Sequence, residues 1–184
     1  RKSAKKLLIT SGSPAAPHLG GSESGYTFAA NMGHTLIPSH PSLVQLCSEE
    51  KWVKACAGVK VAGNAKLYAN GEQIIEKKGD LLFTNYGISG LAILDLSREV
   101  STRLANYEYC ELSLDLMPAF SKEKLTNLLL NRIQEGSQKP ISLWLQGVLN
   151  KKLSTIILEQ SKCKSEIESD LNRKEIGKLV YAMK

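Results

Sequence analysis

The stretch Ala65–Thr84, AKLYANGEQIIEKKGDLLFT, carries the reading on which the fold turns. Asn70-Gly71 separates two strand-like runs, and both residues accept the positive φ that a two-residue type I′ turn demands. A β-hairpin is predicted here, inside a β-rich segment from about Gly33 to Met117. Farther on, Glu111–Leu116 (ELSLDL) alternates polar and apolar residues with the period of a half-buried strand. Short strands with no long helices between them favour a small barrel or antiparallel sheet. One helix interrupts it, starting near Gly90.

The hairpin runs directly into FTNYGISGLAILDLS, Phe83–Ser97, where two glycines flank Ser89. A nucleophile elbow needs G-x-S-x-G on a strand-to-helix turn. Leu91 stands where the last glycine should be, so the esterase reading fails by one position. Ser89 reads first as the N-cap of the following helix and second as part of a ligand cradle. Gly90 would let another group approach the first turn closely, and free N–H groups there suit a carbonyl or anionic group.

From Ser121 onward the pattern is helical. Ser121 is predicted to cap a helix ending at Gly136, Asn150 a second helix with Leu153, Ile156 and Ile157 on one face, and Asn172 a third. Pro140 fits the first turn of a short helix holding Trp144. In the last helix Ile176, Leu179, Val180 and Met183 recur at helical spacing and read as bundle core. No cap follows that stripe, and Arg1 stands in a strand-like context. Both ends are therefore expected to continue into something larger, with partners for the last helix outside this chain.

Before the barrel lies a different region. An apolar strand is predicted at Leu7–Thr10, then a Gly/Ser/Pro/Ala-rich loop from Ser11 to Gly25, then a short helix with Ser24 as N-cap and Gly33 as stop. These are parts of a nucleotide-binding corner, although G-x-G-x-x-G is absent from the chain.

Composition bounds the function classes. The 184 residues are 42% hydrophobic and 23% charged, ordinary for a globular protein. No apolar run nears the ~18 residues of a membrane helix. The apolar part of the basic start is only Leu7–Ile9, too short for a signal peptide, so a cytoplasmic protein is expected. Four scattered cysteines, Cys47, Cys56, Cys110 and Cys163, form no C-x-x-C pair and read as reduced, mostly buried thiols. His34, His40 and Cys47 match no familiar metal spacing, and no metal is expected. The net charge of +6 is uneven: residues 1–120 hold twelve Lys/Arg and eleven Asp/Glu, residues 121–184 twelve and seven. A basic helical half suits nucleic acid or an anionic cofactor, but its sparse aromatics are not interleaved as in a stacking platform.

Three ordered motifs carry a resemblance. The first is TSGSPAAPHLGGSESGYTFAANMGHT, Thr10–Thr35, in which Gly12, Pro17, Gly20, Gly25, Tyr26, Gly33, His34 and Thr35 keep their spacing. The others are PSLVQL, Pro41–Leu46, and LLFTNYGISGLAIL, Leu81–Leu94. In this frame the chain resembles the bacterial NAD(P)/FAD-dependent oxidoreductases typified by aminoacetone oxidase. It departs from them at Ser11, Ala16, Ser24, Asn85 and Leu91.

The resemblance implies an α+β architecture. A strand-loop-helix fragment of a Rossmann-like FAD-binding domain (residues 1–33) would precede an inserted small β-barrel (34–120) and a helical bundle (121–184). It implies FAD contacts from Ser11, Gly12, Pro17, Gly20, Gly25 and Tyr26, and a substrate or flavin edge formed by Asn85, Gly87, Ser89 and Gly90. No catalytic acid–base pair is identified; His34 is the best imidazole, and its place after a helix-ending glycine reads as structural. The function expected is part of a flavin-dependent oxidoreductase acting on a small organic substrate, the insert shaping the active-site entrance. The alternative is a basic barrel and helical module binding RNA or a protein partner without catalysis. A steep loss of affinity with salt would mark phosphate binding.

Overall fold

The computed structural model describes residues 4–134 and 136–184. Residues up to Pro41 form one compact unit, and Ser42–Lys184 form a second. The second unit joins an antiparallel sheet to a set of helices around one hydrophobic core. The chain is α+β, a curled half-barrel followed by a helical domain.

The Asn70-Gly71 turn is as expected. Its residues adopt φ of 51° and 85°, joining β2 (Lys60–Ala69) to β3 (Glu72–Phe83), with Ala69 opposite Glu72. A register shift at Leu67/Tyr68 adds a bulge and hence twist to the pair. With β1 (Leu46–Cys47), β4 (Gly87–Ser89) and β5 (Cys110–Asp115) the sheet order is β1-β4-β3-β2-β5, every pair antiparallel. Alternation buries Ala65, Leu67 and Ala69 of β2 and Leu81 and Phe83 of β3.

Helix α1 (Ser24–Asn31) belongs to the first unit, and α2 (Lys51–Ala55) precedes β2. Helix α3 (Leu91–Ala105) covers the sheet with Ala92, Ile93, Leu96 and Val100. Gly79 makes this approach possible, since a Cβ there would stand 3.1 Å from the Ala92 nitrogen. The helical part comprises α4 (Lys122–Gln134), α5 (Ile141–Leu145), α6 (Lys151–Ser161) and α7 (Arg173–Met183).

The expected caps of this part form. Ser121 Oγ accepts from the Lys124 N–H at 3.1 Å, Asn150 Oδ1 from Lys152 at 2.9 Å, and Asn172 Oδ1 from Lys174 and Glu175, each at 3.0 Å. Pro140 sits one position early, as the residue before α5. Gly33 ends α1 at φ +91°, and the His34 N–H returns to the Ala29 carbonyl at 3.1 Å. This double closure gives His34 a backbone role in ending the helix.

Several expectations need correction. Leu7–Thr10 has no strand pairing among the described residues, and Leu7 and Leu8 are exposed. A strand is defined by its neighbour's hydrogen bonds, and propensity alone does not supply one. Helix α1 starts at Ser24 with Glu23 as the preceding residue, so Ser24 is not its cap. The α7 stripe is not left uncovered: Ile176, Leu179 and Met183 are fully buried within the chain, packed against α4 and α6. Of the cysteines only Cys56 is buried; Cys47 is exposed and the other two are half-buried. Burial pushes the Cys56, Cys110 and Cys163 thiols above their ordinary range.

Candidate functional site

The residues singled out by the motifs fall into two groups, one in each unit. In the first, Pro17–Leu19 form a single 3-10 turn closed by Gly20 in the left-handed region, whose N–H reaches the Pro17 carbonyl at 3.0 Å. Gly12 also needs its glycine, at φ +76°, and nothing lies within 4 Å of where a Cβ would point. Gly20 faces the same open space. Gly25 is different: a Cβ there would meet Ser11 Oγ at 2.2 Å and Ile9 Cγ2 at 3.2 Å. It is buried, with the Ser11 and Ile9 side chains against it. The structure thus brings Ser11 and Gly25 together and leaves Gly12 and Gly20 with open backbone. The N-cap position of α1 is Glu23, whose carboxylate makes no capping hydrogen bond, and no further acidic residue stands in the first turn. Tyr26 lines a hollow of about 460 Å3 between α1 and the Leu36–Ser39 segment.

The second group sits on the β3–β4 turn. Thr84 donates twice to the Gly87 carbonyl, from its N–H at 2.8 Å and its hydroxyl at 2.9 Å. The Gly87 N–H donates back to Thr84 Oγ1 at 3.1 Å. Asn85 is exposed at the tip of this turn. Tyr86 beside it is held: its carbonyl accepts from Ser48 and its hydroxyl bonds Gln45. Gly87 lies against β1, where a Cβ would stand 2.0 Å from the Leu46 carbonyl oxygen.

Ser89 is not the cap of α3. It is the last residue of β4, paired with Leu82, and only 8% exposed. The cap position belongs to Gly90, at φ +100° and ψ 163°, with no side-chain hydrogen bond. The Gly90 carbonyl accepts from Ile93 and Leu94. Strand pairing with β3 draws Ser89 into the sheet and shifts the helix start by one residue. Of the four residues, only Asn85 presents a side chain to solvent; Gly87, Ser89 and Gly90 supply packed backbone.

Among the described residues no group of three or more His, Cys, Asp or Glu could hold a metal ion. No described helix is long and apolar enough to cross a membrane. The motifs missed a third feature, a hollow of about 540 Å3 between the edge of β5 and helices α6 and α7. Its residues run from Trp52 to Lys184, so no local spacing betrays it. Only the alternation of Lys66 and Tyr68 opposite the buried Ala65 and Leu67 marks one wall.

The curled sheet followed by four helices defines a barrel-and-helix module. The chain belongs to the HI0933-like protein barrel and H2TH domain family, whose model matches residues 40–184. This is a domain of a flavoprotein family. The chain is 28% identical over 158 residues to a 3-dehydro-bile acid delta(4,6)-reductase of Clostridium scindens, covering 86% of this chain and 39% of that one. It is 27% identical over 179 residues to a ribosomal RNA dihydrouridine synthase of Haemophilus influenzae, covering 96% of this chain and 41% of that one. The chain spans about two fifths of the length of these relatives.

Proposed function

We propose that this chain is part of a flavin-dependent oxidoreductase, of the aminoacetone-oxidase type, that acts on a small organic substrate. The observation that carries this reading is the family match across residues 40–184. One of the two relatives described is itself named a reductase. Bound FAD would supply the electron transfer, while the protein binds, orients and excludes water. In this reading residues 1–33 are a piece of the FAD domain, 34–120 the inserted barrel and 121–184 the helical bundle.

The residues present fit such a cofactor. Gly12 and Gly20 leave backbone open to a close approach. Ser11, Gly25, Pro17 and Tyr26 shape and support that loop. On the β3–β4 turn, Asn85 is the side chain we assign to the substrate or flavin edge, with Gly87, Ser89 and Gly90 holding it in place.

The test is direct. The protein carrying this segment at native length should purify with FAD, identified by mass spectrometry after release, and Asn85→Ala should change substrate KM or kcat without loss of flavin. A flavin-free protein that cannot be reconstituted would refute the proposal. The 184-residue chain alone lacks the G-x-G-x-x-G fingerprint and should bind added FAD weakly.

A second reading is favoured by the relative named for ribosomal RNA. In it the same flavin chemistry acts on an RNA base, and the basic helical half holds phosphates. Affinity for an RNA oligonucleotide should then fall steeply with salt. A non-catalytic binding module is not favoured.

A further inference from the structure

Gly177 has no explanation within the chain. It lies inside α7, it is not among the glycines at positive φ, and nothing lies within 4 Å of where its Cβ would point. A glycine inside a helix costs stability against alanine, and here neither backbone conformation nor internal packing accounts for it. What remains is the close approach of something outside the chain.

The side chains around Gly177 indicate what approaches. Neighbours on a helix surface lie three and four positions apart, which puts Arg173 and Lys174 one turn before Gly177 and Tyr181 one turn after it. Arg173 and Lys174 are exposed and form no ion pair among the described residues. Both stand in the first turn of α7, where the helix dipole disfavours positive charge. Glu175, the acid of that turn, accepts from the Ser165 hydroxyl and the Lys164 N–H, on the flank opposite Gly177. From α4 the exposed Lys122 reaches across, its Nζ 5.2 Å from the centre of the Tyr181 ring. That ring is 76% exposed. Three cations without an ion-pair partner among the described residues thus surround an exposed aromatic ring and the gap of one missing side chain.

We propose that this face of α7 binds RNA, the sugar-phosphate backbone passing over Gly177 between Arg173, Lys174 and Lys122, with a base against Tyr181. This rests on the second reading above, in which the substrate is an RNA base, and adds the surface that holds the strand. Each local cost finds the same relief. Phosphates neutralise the two first-turn cations, and a backbone lying close on the helix uses the space of the missing Cβ. Local rules of helix construction are broken where a partner compensates for them. An anionic membrane would require an apolar face to insert. Of the exposed residues Arg173, Lys174, Gly177 and Tyr181, only the tyrosine offers one.

The test is fluorescence anisotropy of a fluorescein-labelled RNA stem-loop, titrated with the protein carrying this segment at native length over a series of salt concentrations. The parent should bind, with log affinity falling linearly in log salt. Arg173→Gln with Lys174→Gln should weaken binding roughly tenfold and shrink the salt slope by about two. Gly177→Leu should raise the urea midpoint, because leucine is the better helix former in open space, and yet weaken RNA binding roughly tenfold. Lys51→Gln with Lys78→Gln, exposed on α2 and β3, removes the same charge elsewhere and should leave the slope unchanged. An equal loss in that control, an unchanged slope in the Arg173 and Lys174 variant, or full RNA binding by Gly177→Leu would overturn the proposal while leaving RNA as a substrate. A parent that binds no RNA would sink both. Binding to phosphatidylglycerol vesicles without binding to RNA would assign the face to a membrane instead.

Discussion

Gly90 is the most constrained residue of the motif that suggested a site, and Gly90→Ala gives the sharpest test of the fold. Its backbone, at φ +100° and ψ 163°, lies in a region that costs other residues about 1–3 kcal/mol. Space is short as well. A Cβ would stand 2.1 Å from the Asp80 carbonyl oxygen and 2.7 Å from its carbon. Asp80 lies within β3, opposite Ala62 of β2, so it cannot retreat without disturbing the central ladder. Such overpacking costs a further ~1–3 kcal/mol.

Gly90→Ala should therefore destabilise by about 2–6 kcal/mol, against a total of roughly 5–15 kcal/mol for a domain. Urea unfolding followed by circular dichroism measures this as a lower midpoint at unchanged slope. Gly177→Ala is the matched control. Gly177 is exposed inside α7 with nothing within 4 Å of its missing Cβ, so alanine should stabilise by about 0.5–1 kcal/mol. If Gly90→Ala fell within about 0.5 kcal/mol of the parent, neither the close β4–β3 approach nor the strained link to α3 would be real.

Ser89→Ala should cost no more than about 0.5 kcal/mol, because Ser89 ends β4 and caps nothing; a stable fluorophosphonate adduct at Ser89 would instead restore the hydrolase reading. The Ser165 hydroxyl and then the Lys164 N–H hold the Glu175 carboxyl below its usual range. A depressed folded pKa adds stability that is full above the unfolded carboxyl pKa and lost as pH falls through the folded one. Glu175→Gln should accordingly flatten the acid limb of stability against pH, and an unchanged limb would contradict this. Lys184 Nζ donates to Asp115 Oδ2 and to the Met117 and Phe120 carbonyls, and the pair is only 10% and 12% exposed. Lys184→Met should cost about 3–5 kcal/mol by stranding the Asp115 carboxylate, with part recovered on adding Asp115→Asn; a single variant as stable as the parent would refute the pairing.

Features set by a few neighbouring residues were legible in the sequence. The Asn70-Gly71 turn, the Asn150 and Asn172 caps and the Gly33 stop each depend on chemistry within about one turn of chain. The misread boundaries depend on partners. Ser89 has better cap chemistry than Gly90, yet pairing with Leu82 settles the matter. Leu7–Thr10 has strand composition but no described neighbour to pair with. The α7 stripe announced a buried face without naming its cover, which proved to be α4 and α6. The two-residue β1 and five-residue α2 are too short for any period to show.

The glycines of the two motif groups illustrate the same division, and they also sort the site. A glycine in a sequence motif has two physical explanations, close approach of something or positive φ, and the sequence does not distinguish them. At Gly25, Gly87 and Gly90 the approaching group is the chain itself: Ser11, Leu46 and Asp80 occupy the space a Cβ would need. Packing accounts for these three without any ligand. At Gly12 and Gly20 the space is open, and positive φ accounts for the residue while leaving backbone accessible. The ligand-binding reading therefore rests on the open loop of the first unit and on Asn85 at the exposed turn tip. Alanine at Gly87 or Gly90 would report on folding, whereas substitution of Asn85 would report on binding.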